Sequence, residues 1–115
     1  TWALCKIHFT NASDQPVSIA PFTAGKNYPS FQFKAGDTGF ISALGEGVLN
    51  PAITIDTSDP SNLVATIPPG VSLDLNLKWM LVYKPPKNSP WVLKITGLSQ
   101  DGKPLADIVI NRPEF

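Results

Sequence analysis

The chain has 115 residues, of which 43 % are hydrophobic and 16 % are charged, and nine basic residues balance nine acidic ones. This length is that of one domain with a buried core, so we predict a single domain over residues 1–115. Neutral net charge predicts no affinity of the chain as a whole for nucleic acid or for an anionic membrane, so any such binding must come from local clustering of charge. No apolar run approaches the roughly 20 residues of a transmembrane segment.

Short β-rich runs follow one another from the start of the chain, and each is closed by turn-forming residues. The first, Trp2–Thr10, alternates apolar positions such as Ala3 and Ile7 with polar positions such as Lys6 and His8. The next runs are PVSIAPF, FQFK, FISAL, AITIDT and LVATI. Twelve prolines and eight glycines separate these runs, as is typical of an all-β domain with many turns.

The longest predicted strand covers residues 71–83, where apolar side chains occupy every second position. We expect it to form a hairpin with residues 91–96, with Tyr83 opposite Trp91 and Leu81 opposite Leu93, because this register puts both apolar faces together. Trp79 and Trp91 then lie on the core side.

The run LADIVIN completes the set, after a turn signal at Asp101-Gly102. No segment has a convincing helical period. About eight or nine strands at this spacing predict an antiparallel β-sandwich, with a small β-barrel as the alternative.

The other face of the predicted hairpin is basic. Lys78, Lys84 and Lys94 alternate there with Met80 and Val82, Lys87 extends the positive edge, and no acidic residue lies between Leu75 and Gln100. One interpretation is a solvated face whose lysines discourage association between sheet edges. The other is a surface for lipid headgroups, an acidic protein or an anionic glycan, assisted by the loop aromatics Tyr28 and Trp91.

Few side chains are suited to catalysis. His8 is the only histidine and Cys5 the only cysteine, so a disulfide within the chain and a cysteine-based metal site are both excluded. We therefore predict no catalytic residue, no cofactor and no metal site. Asp56 and Asp59 leave calcium binding an open question, and Asn11-Ala12-Ser13 is a formal glycosylation sequence.

The triplet Asp37-Thr38-Gly39 resembles the active-site motif of aspartic proteases, whose short retroviral-type members work as homodimers. The segment DIVINR near the end is similar to the Ile-Gly-Arg segment of those enzymes. The resemblance implies a homodimeric protease, and it covers about ten residues of the 115. Ala35-Gly36 before the triplet and Phe40 after it depart from the family pattern.

The opening of the chain contains Trp2, then Asn11 and Ser13 in a turn after an apolar strand, and then Gly25, Lys26 and Tyr28. In these features it resembles the first strands of the aegerolysins and, more loosely, those of actinoporin-like proteins. These families are small β-sandwiches that bind membrane lipids, which is what the resemblance implies here. The late tryptophan loop of aegerolysins does not occur in this chain.

We therefore expect a non-enzymatic binding module for a membrane lipid or glycan. The expected ligand-binding residues are Tyr28, Lys78, Lys84, Lys87, Trp91 and Lys94. The alternative is a structural or protein-interaction domain that uses the sheet face with Lys78, Val82 and Lys94 for a partner or for self-association. The homodimeric aspartic protease is a minor alternative.

Overall fold

The computed structural model describes residues 2–23, 27–36, 39–46, 50–82 and 89–112, and this part of the chain contains eleven β-strands and no helix. The strands are β1 (Trp2–Thr10), β2 (Val17–Ile19), β3 (Asn27–Ala35), β4 (Ile41–Glu46), β5 (Thr54–Asp56), β6 (Val64–Ile67), β7 (Ser72–Met80), β8 (Trp91–Ile95), β9 (Leu98–Gln100), β10 (Lys103–Pro104) and β11 (Ile108–Arg112).

Two antiparallel sheets make up the fold. The larger has six strands in the order β1-β7-β4-β3-β8-β11, and the smaller has five in the order β10-β9-β2-β6-β5. This architecture confirms the predicted all-β sandwich class. The two strands beyond the expected number are β9 and β10, which form a hairpin around Asp101 and Gly102. Both turn residues have positive φ, 53° and 72°, as a two-residue type I′ hairpin requires.

The alternation along β7 defines the core. Leu73, Leu75, Leu77 and Trp79 are buried, whereas the residues between them point outward. The fully buried Trp79 ring stacks on Phe33 with 5.1 Å between centroids, and its Nε1 donates a hydrogen bond to a backbone carbonyl of β3 at 3.3 Å. The prediction that Trp79 belongs to the core is confirmed.

The predicted hairpin between residues 71–83 and 91–96 is wrong. β7 lies between β1 and β4, whereas β8 lies between β3 and β11, so Trp79 faces Ala3 and Leu93 faces Phe33. Alternation determines which side of a sheet a residue occupies, but it does not determine which strand lies beside it. Both strands do contribute apolar side chains to the same inner face of one sheet, which is why the inward assignments hold although the pairing does not.

Asn11 ties together the turns at one end of the sandwich. Its side chain is 3 % exposed, and its Nδ2 donates to the carbonyls of Gln15 at 2.8 Å and Ile67 at 2.9 Å. Its Oδ1 accepts from the Ser13 backbone N–H and hydroxyl. Because both amide protons are in use, attachment of a glycan to Nδ2 requires this network to be dismantled.

Candidate functional site

One end of the six-stranded sheet gathers most of the residues of functional interest. In register, Trp2 at the start of β1 lies opposite Met80 at the end of β7, and Ala35 at the end of β3 lies opposite Trp91 at the start of β8. β4 begins at the same end, because Phe33 pairs with Ile41. We call this the Trp2 end.

Large apolar side chains are exposed on the outer face at the Trp2 end. The fractional exposure is 42 % for Trp2, 76 % for Leu4, 58 % for Met80 and 85 % for Val82. Single exposed apolar residues are common on protein surfaces, but here three come from two paired strands and the fourth, Val82, follows two residues after β7. We call these four residues the β1–β7 patch.

Lys78 lies within this patch. Lys78 lies directly opposite Leu4 in the β1–β7 ladder, and its Nζ is 4.8 Å from the centroid of the Trp2 ring. This distance is within the range of a cation–π interaction. The contact joins a positive charge and an exposed aromatic ring on the sheet surface.

A second lysine–aromatic group lies further across the same face. The Lys94 Nζ is 4.1 Å from the centroid of the exposed Phe40 ring, and the Lys34 Nζ is 5.6 Å from it. Strands β4 and β3 separate β7 from β8, which puts the axes of β7 and β8, and hence the backbones of Lys78 and Lys94, at least roughly 14 Å apart at the usual strand spacing. The two lysines therefore belong to two separate groups, not to one continuous hairpin edge as predicted.

The described residues at the Trp2 end include no acidic side chain. The stretches concerned are residues 2–5, 32–36, 39–45, 77–82, 89–95 and 109–112, and Glu46 at the end of β4, opposite Asn76, is the next residue beyond them. On β7 the acidic residue of the outer face is Asp74, four positions before Lys78, and it is paired with His8. In the register of the sheet, Lys78 lies opposite Leu4 on one side and Leu44 on the other, so neither of its direct cross-strand neighbours is acidic.

An apolar pocket of about 210 Å³ opens at the same end, on the inner side of the sheet. Trp79, Trp91 and Phe33 form its aromatic wall, and the Phe33 and Trp91 ring centroids are 5.8 Å apart. Ala3, Cys5 and Leu93 complete the inner wall. Leu4 also lines the pocket, and because it is largely exposed it marks the rim toward β1, the edge strand.

The Cys5 thiol contributes no charge to this wall at neutral pH. Cys5 is half-buried, and this burial raises the pKa of its thiol above the ordinary value. The Sγ donates a hydrogen bond to the Lys6 carbonyl over 3.6 Å. The thiol therefore behaves in the pocket as a small apolar group.

Tyr28 lies elsewhere, and the expectation that it is a loop aromatic is wrong. It is the second residue of β3, about 23 Å along the strand from Ala35 at the usual rise per residue. Its half-buried ring packs edge-on against Phe22, with centroids 5.4 Å apart, and against Phe31 at 6.4 Å. Trp91 also lies in a strand, and its ring faces the pocket.

Other predicted residues are outside the part of the chain that the structure describes. Lys84 and Lys87 fall in residues 83–88, and Asp37 and Thr38 of the protease-like triplet fall between the described residues 36 and 39. The structure therefore bears on neither the loop lysines nor the acidic triplet.

A polar network surrounds His8 on the outer face of β1 and β7. His8 Nδ1 lies 2.5 Å from Asp74 Oδ1, and its Nε2 lies 3.3 Å from the Thr10 hydroxyl, which is 2.7 Å from the Ser72 hydroxyl. The order resembles a catalytic relay, but His8 and Asp74 are direct cross-strand neighbours, as are Thr10 and Ser72. Both ionisable side chains are about two-thirds exposed, so the network is explained by strand pairing alone.

The carboxylates of Asp56 and Asp59 serve local turns. Asp56 Oδ1 accepts from the Ser58 N–H at 3.0 Å, and this bond holds the pKa of its carboxyl below the ordinary value. Asp59 Oδ1 accepts from the Ser61 N–H at 3.0 Å and from its hydroxyl at 2.7 Å. Within the described ranges no three His, Cys, Asp or Glu residues come together in a group suited to a metal ion.

Two features of this site were not anticipated from the sequence, namely the pocket and the contribution of Trp2 and Leu4 to the outer face beside Met80 and Val82. The pocket depends on four strands meeting, which no local pattern reveals. The β1–β7 patch did have a signal, because Trp2 and Leu4 occupy the same alternate positions of β1 as Lys6 and His8. Large apolar residues on the solvent side of a strand predict a contact surface or an edge contact.

Comparison of the chain with protein-family models, with curated proteins and with solved structures finds no match. The resemblances to aspartic proteases and to aegerolysins therefore stay predictions. Among the described residues no helix has the length and hydrophobicity needed to cross a membrane.

Proposed function

We propose that the protein is a non-enzymatic module that binds an anionic lipid surface through the Trp2 end. The observation that carries the proposal is Lys78 positioned over Trp2 among the exposed side chains of Leu4 and Met80. Tryptophan has an apolar body with a polar tip, which suits it to the boundary between headgroups and acyl chains. A lysine near an anionic membrane surface adds about 1 kcal/mol of attraction.

Lipid is favoured over glycan by the composition of the patch. Sugar rings stack on open aromatic faces, whereas a lysine amine already lies over Trp2 and another over Phe40. The aliphatic side chains of Leu4 and Val82 gain free energy when they leave water for an acyl environment, at about 25 cal/mol per Å² of apolar surface. The same side chains gain much less free energy from contact with a glycan, whose surface is largely polar.

Vesicle co-sedimentation tests the proposal with a matched pair of double variants. Met80→Asn with Lys78→Gln alters the Trp2 end, and Leu105→Asn with Lys103→Gln makes the same kind of change at exposed residues near β10. We expect the first variant to bind phosphatidylserine-containing vesicles about tenfold more weakly, from the lost apolar burial and charge. The second is expected to bind like the unaltered protein.

Two outcomes contradict the proposal. One is equal binding by both double variants, and the other is no retention of the unaltered protein on anionic vesicles. Retention on an immobilised anionic polysaccharide such as heparin, without retention on vesicles, assigns the lysine–aromatic groups to a glycan instead.

A second candidate function is self-association through β11, at the edge of the six-stranded sheet. Ile108, Val109 and Ile110 are all exposed, and β8 is the strand bonded to β11 in the described part of the chain. Exposed apolar edge strands pair readily with another strand. Light scattering after size-exclusion chromatography tests this candidate. If it is correct, the unaltered protein is a dimer, Val109→Lys dissociates the dimer, and Leu105→Lys leaves it intact. A monomeric unaltered protein excludes it.

A further inference from the structure

We infer that the apolar pocket at the Trp2 end accepts the hydrocarbon chain of a single-chain anionic amphiphile, with the acidic head at the rim beside Lys78. The inference rests on the proposed function and names the ligand class for that same end. It is carried by three observations, namely the chemistry of the pocket wall, the pocket volume and the charge at the rim.

The wall offers a ligand apolar contact and little else. Aromatic and aliphatic side chains form most of it. Three wall residues carry polar side-chain groups. Two of these groups are already engaged, because Trp79 Nε1 donates to the Phe31 carbonyl and the Cys5 thiol to the Lys6 carbonyl, and the third is the indole N–H of Trp91. A polar group placed inside would lose most of its hydrogen bonds to water. The part of the ligand that enters is therefore hydrocarbon.

The volume matches a short run of methylene groups. A protein cavity of about 150 Å³ lined by apolar side chains holds one benzene molecule of six carbons. The pocket here measures about 210 Å³, which by the same ratio corresponds to roughly eight carbons. A medium-length acyl chain thus reaches from the Trp79 side of the pocket to the rim with its head outside.

The rim provides the charge that an acidic head requires. Leu4 lines the rim and lies directly opposite Lys78, so their Cβ atoms are about 5 Å apart in an antiparallel pair. Lys78 also covers Trp2 at the same edge, and its two cross-strand partners, Leu4 and Leu44, are apolar. A carboxylate or phosphate head therefore finds a cation where the chain leaves the pocket.

Tryptophan fluorescence reads out this binding directly. The chain has three tryptophans, so the Trp2→Phe variant leaves only Trp79 and Trp91, both of which line the pocket. The probe is 11-bromoundecanoate below its micelle concentration, whose bromine quenches a nearby indole. We expect saturable quenching, and several-fold weaker binding of 11-bromoundecanol, which has the same chain without the charge.

Two variants locate the site. Ala3→Leu adds bulk to the inner wall and is expected to abolish saturable quenching, whereas Ala106→Leu at an exposed position leaves it unchanged. Lys78→Gln is expected to weaken binding of the carboxylate to the level of the alcohol. Quenching that rises linearly with probe concentration, or that free bromide ion reproduces, overturns the inference.

A measurement on the unaltered protein keeps the test independent of variant folding. Cys5 lines the pocket, so bound decanoate is expected to slow its alkylation by N-ethylmaleimide several-fold, whereas butyrate is not. Equal alkylation rates in the presence of both overturn the inference. Vesicle binding without pocket quenching refutes the pocket ligand alone, and pocket quenching without vesicle binding refutes the proposed membrane function alone.

Discussion

Lys78 and Trp2 lie on neighbouring strands, and the lysine Nζ is 4.8 Å from the centre of the indole ring. The contact joins the C-terminal part of β7 to the first residue of β1, and both side chains face solvent. It combines a charge and an apolar surface in one place, which is the combination that an anionic lipid surface recognises.

Salt is expected to weaken the binding of anionic vesicles. The Debye length is about 30 Å at 0.01 M salt and about 8 Å at 0.15 M, so the attraction between exposed lysines and a charged surface is largely screened over this range of salt concentration. Vesicle co-sedimentation at several salt concentrations measures the effect. Lys78→Gln is expected to flatten the salt dependence and Lys103→Gln, on β10, to leave it as it is. A salt dependence that Lys78→Gln leaves unaltered contradicts the role given to this lysine.

Replacement of Asn11 by alanine is expected to reduce the free energy of unfolding by about 2 kcal/mol or more, because buried carbonyl groups lose their donors. Asn11 Nδ2 is the donor to Gln15 and Ile67. Urea denaturation provides the measurement, and Asn76→Ala at an exposed position of β7 is the control, expected within about 0.5 kcal/mol of the unaltered protein. Equal losses for both variants would show that the Asn11 network is not stabilising.

Gly97→Ala is expected to destabilise the fold more than Gly70→Ala. Both glycines have positive φ, 73° and 75°, where a residue with a side chain costs on the order of 1–3 kcal/mol. A Cβ on Gly97 also collides with the Ala20 carbonyl, whereas one on Gly70 meets no atom within 4 Å. Thermal unfolding of the two variants measures the difference. Both carry the backbone strain, but only Gly97→Ala carries the collision, so identical unfolding midpoints would contradict the close approach at Gly97.

Alkylation of Cys5 is expected to be slow at neutral pH. Its rate is expected to rise with pH around a midpoint that is higher than the midpoint of a free thiol. Burial raises the pKa of Cys5, so the reactive thiolate is scarcer than in N-acetylcysteine at the same pH. This difference in thiolate fraction is expected to disappear once the pH exceeds the raised pKa of the Cys5 thiol in the folded protein. The pH profile of iodoacetamide modification, followed by mass spectrometry, gives the comparison. A midpoint at or below that of the free thiol refutes this prediction.

The inward and outward positions of the strands were predictable, and the pairing of β7 was not. Leu73 through Trp79 alternate so regularly that their face is determined whichever strand lies beside them. Consecutive strands are neighbours in only about two-thirds of cases, and here β7 and β8 are separated by two strands that come earlier in the chain. The assumed hairpin therefore gave the correct core residues with incorrect partners.

The candidate site was predicted in part. Lys78 and Lys94 do lie on the outer face, and the sequence indicates this through their position between apolar residues. Their association with Trp2 and Phe40 was not predictable, because these contacts join strands that are distant in sequence. The pocket likewise requires β1, β3, β7 and β8 together, so only the three-dimensional structure reveals it.

The pairing of β1 with β7 has a consequence for synthesis of the chain. His8 meets Asp74, which follows 66 residues later, so β1 has no partner in the larger sheet until β7 has left the ribosome. During that interval the apolar residues of Trp2–Thr10 are unpaired, and contacts between residues so far apart form slowly. A nascent chain that ends before β7 is therefore expected to expose the apolar residues of β1 to chaperones, and its release from them on completion of β7 marks the point at which the larger sheet assembles.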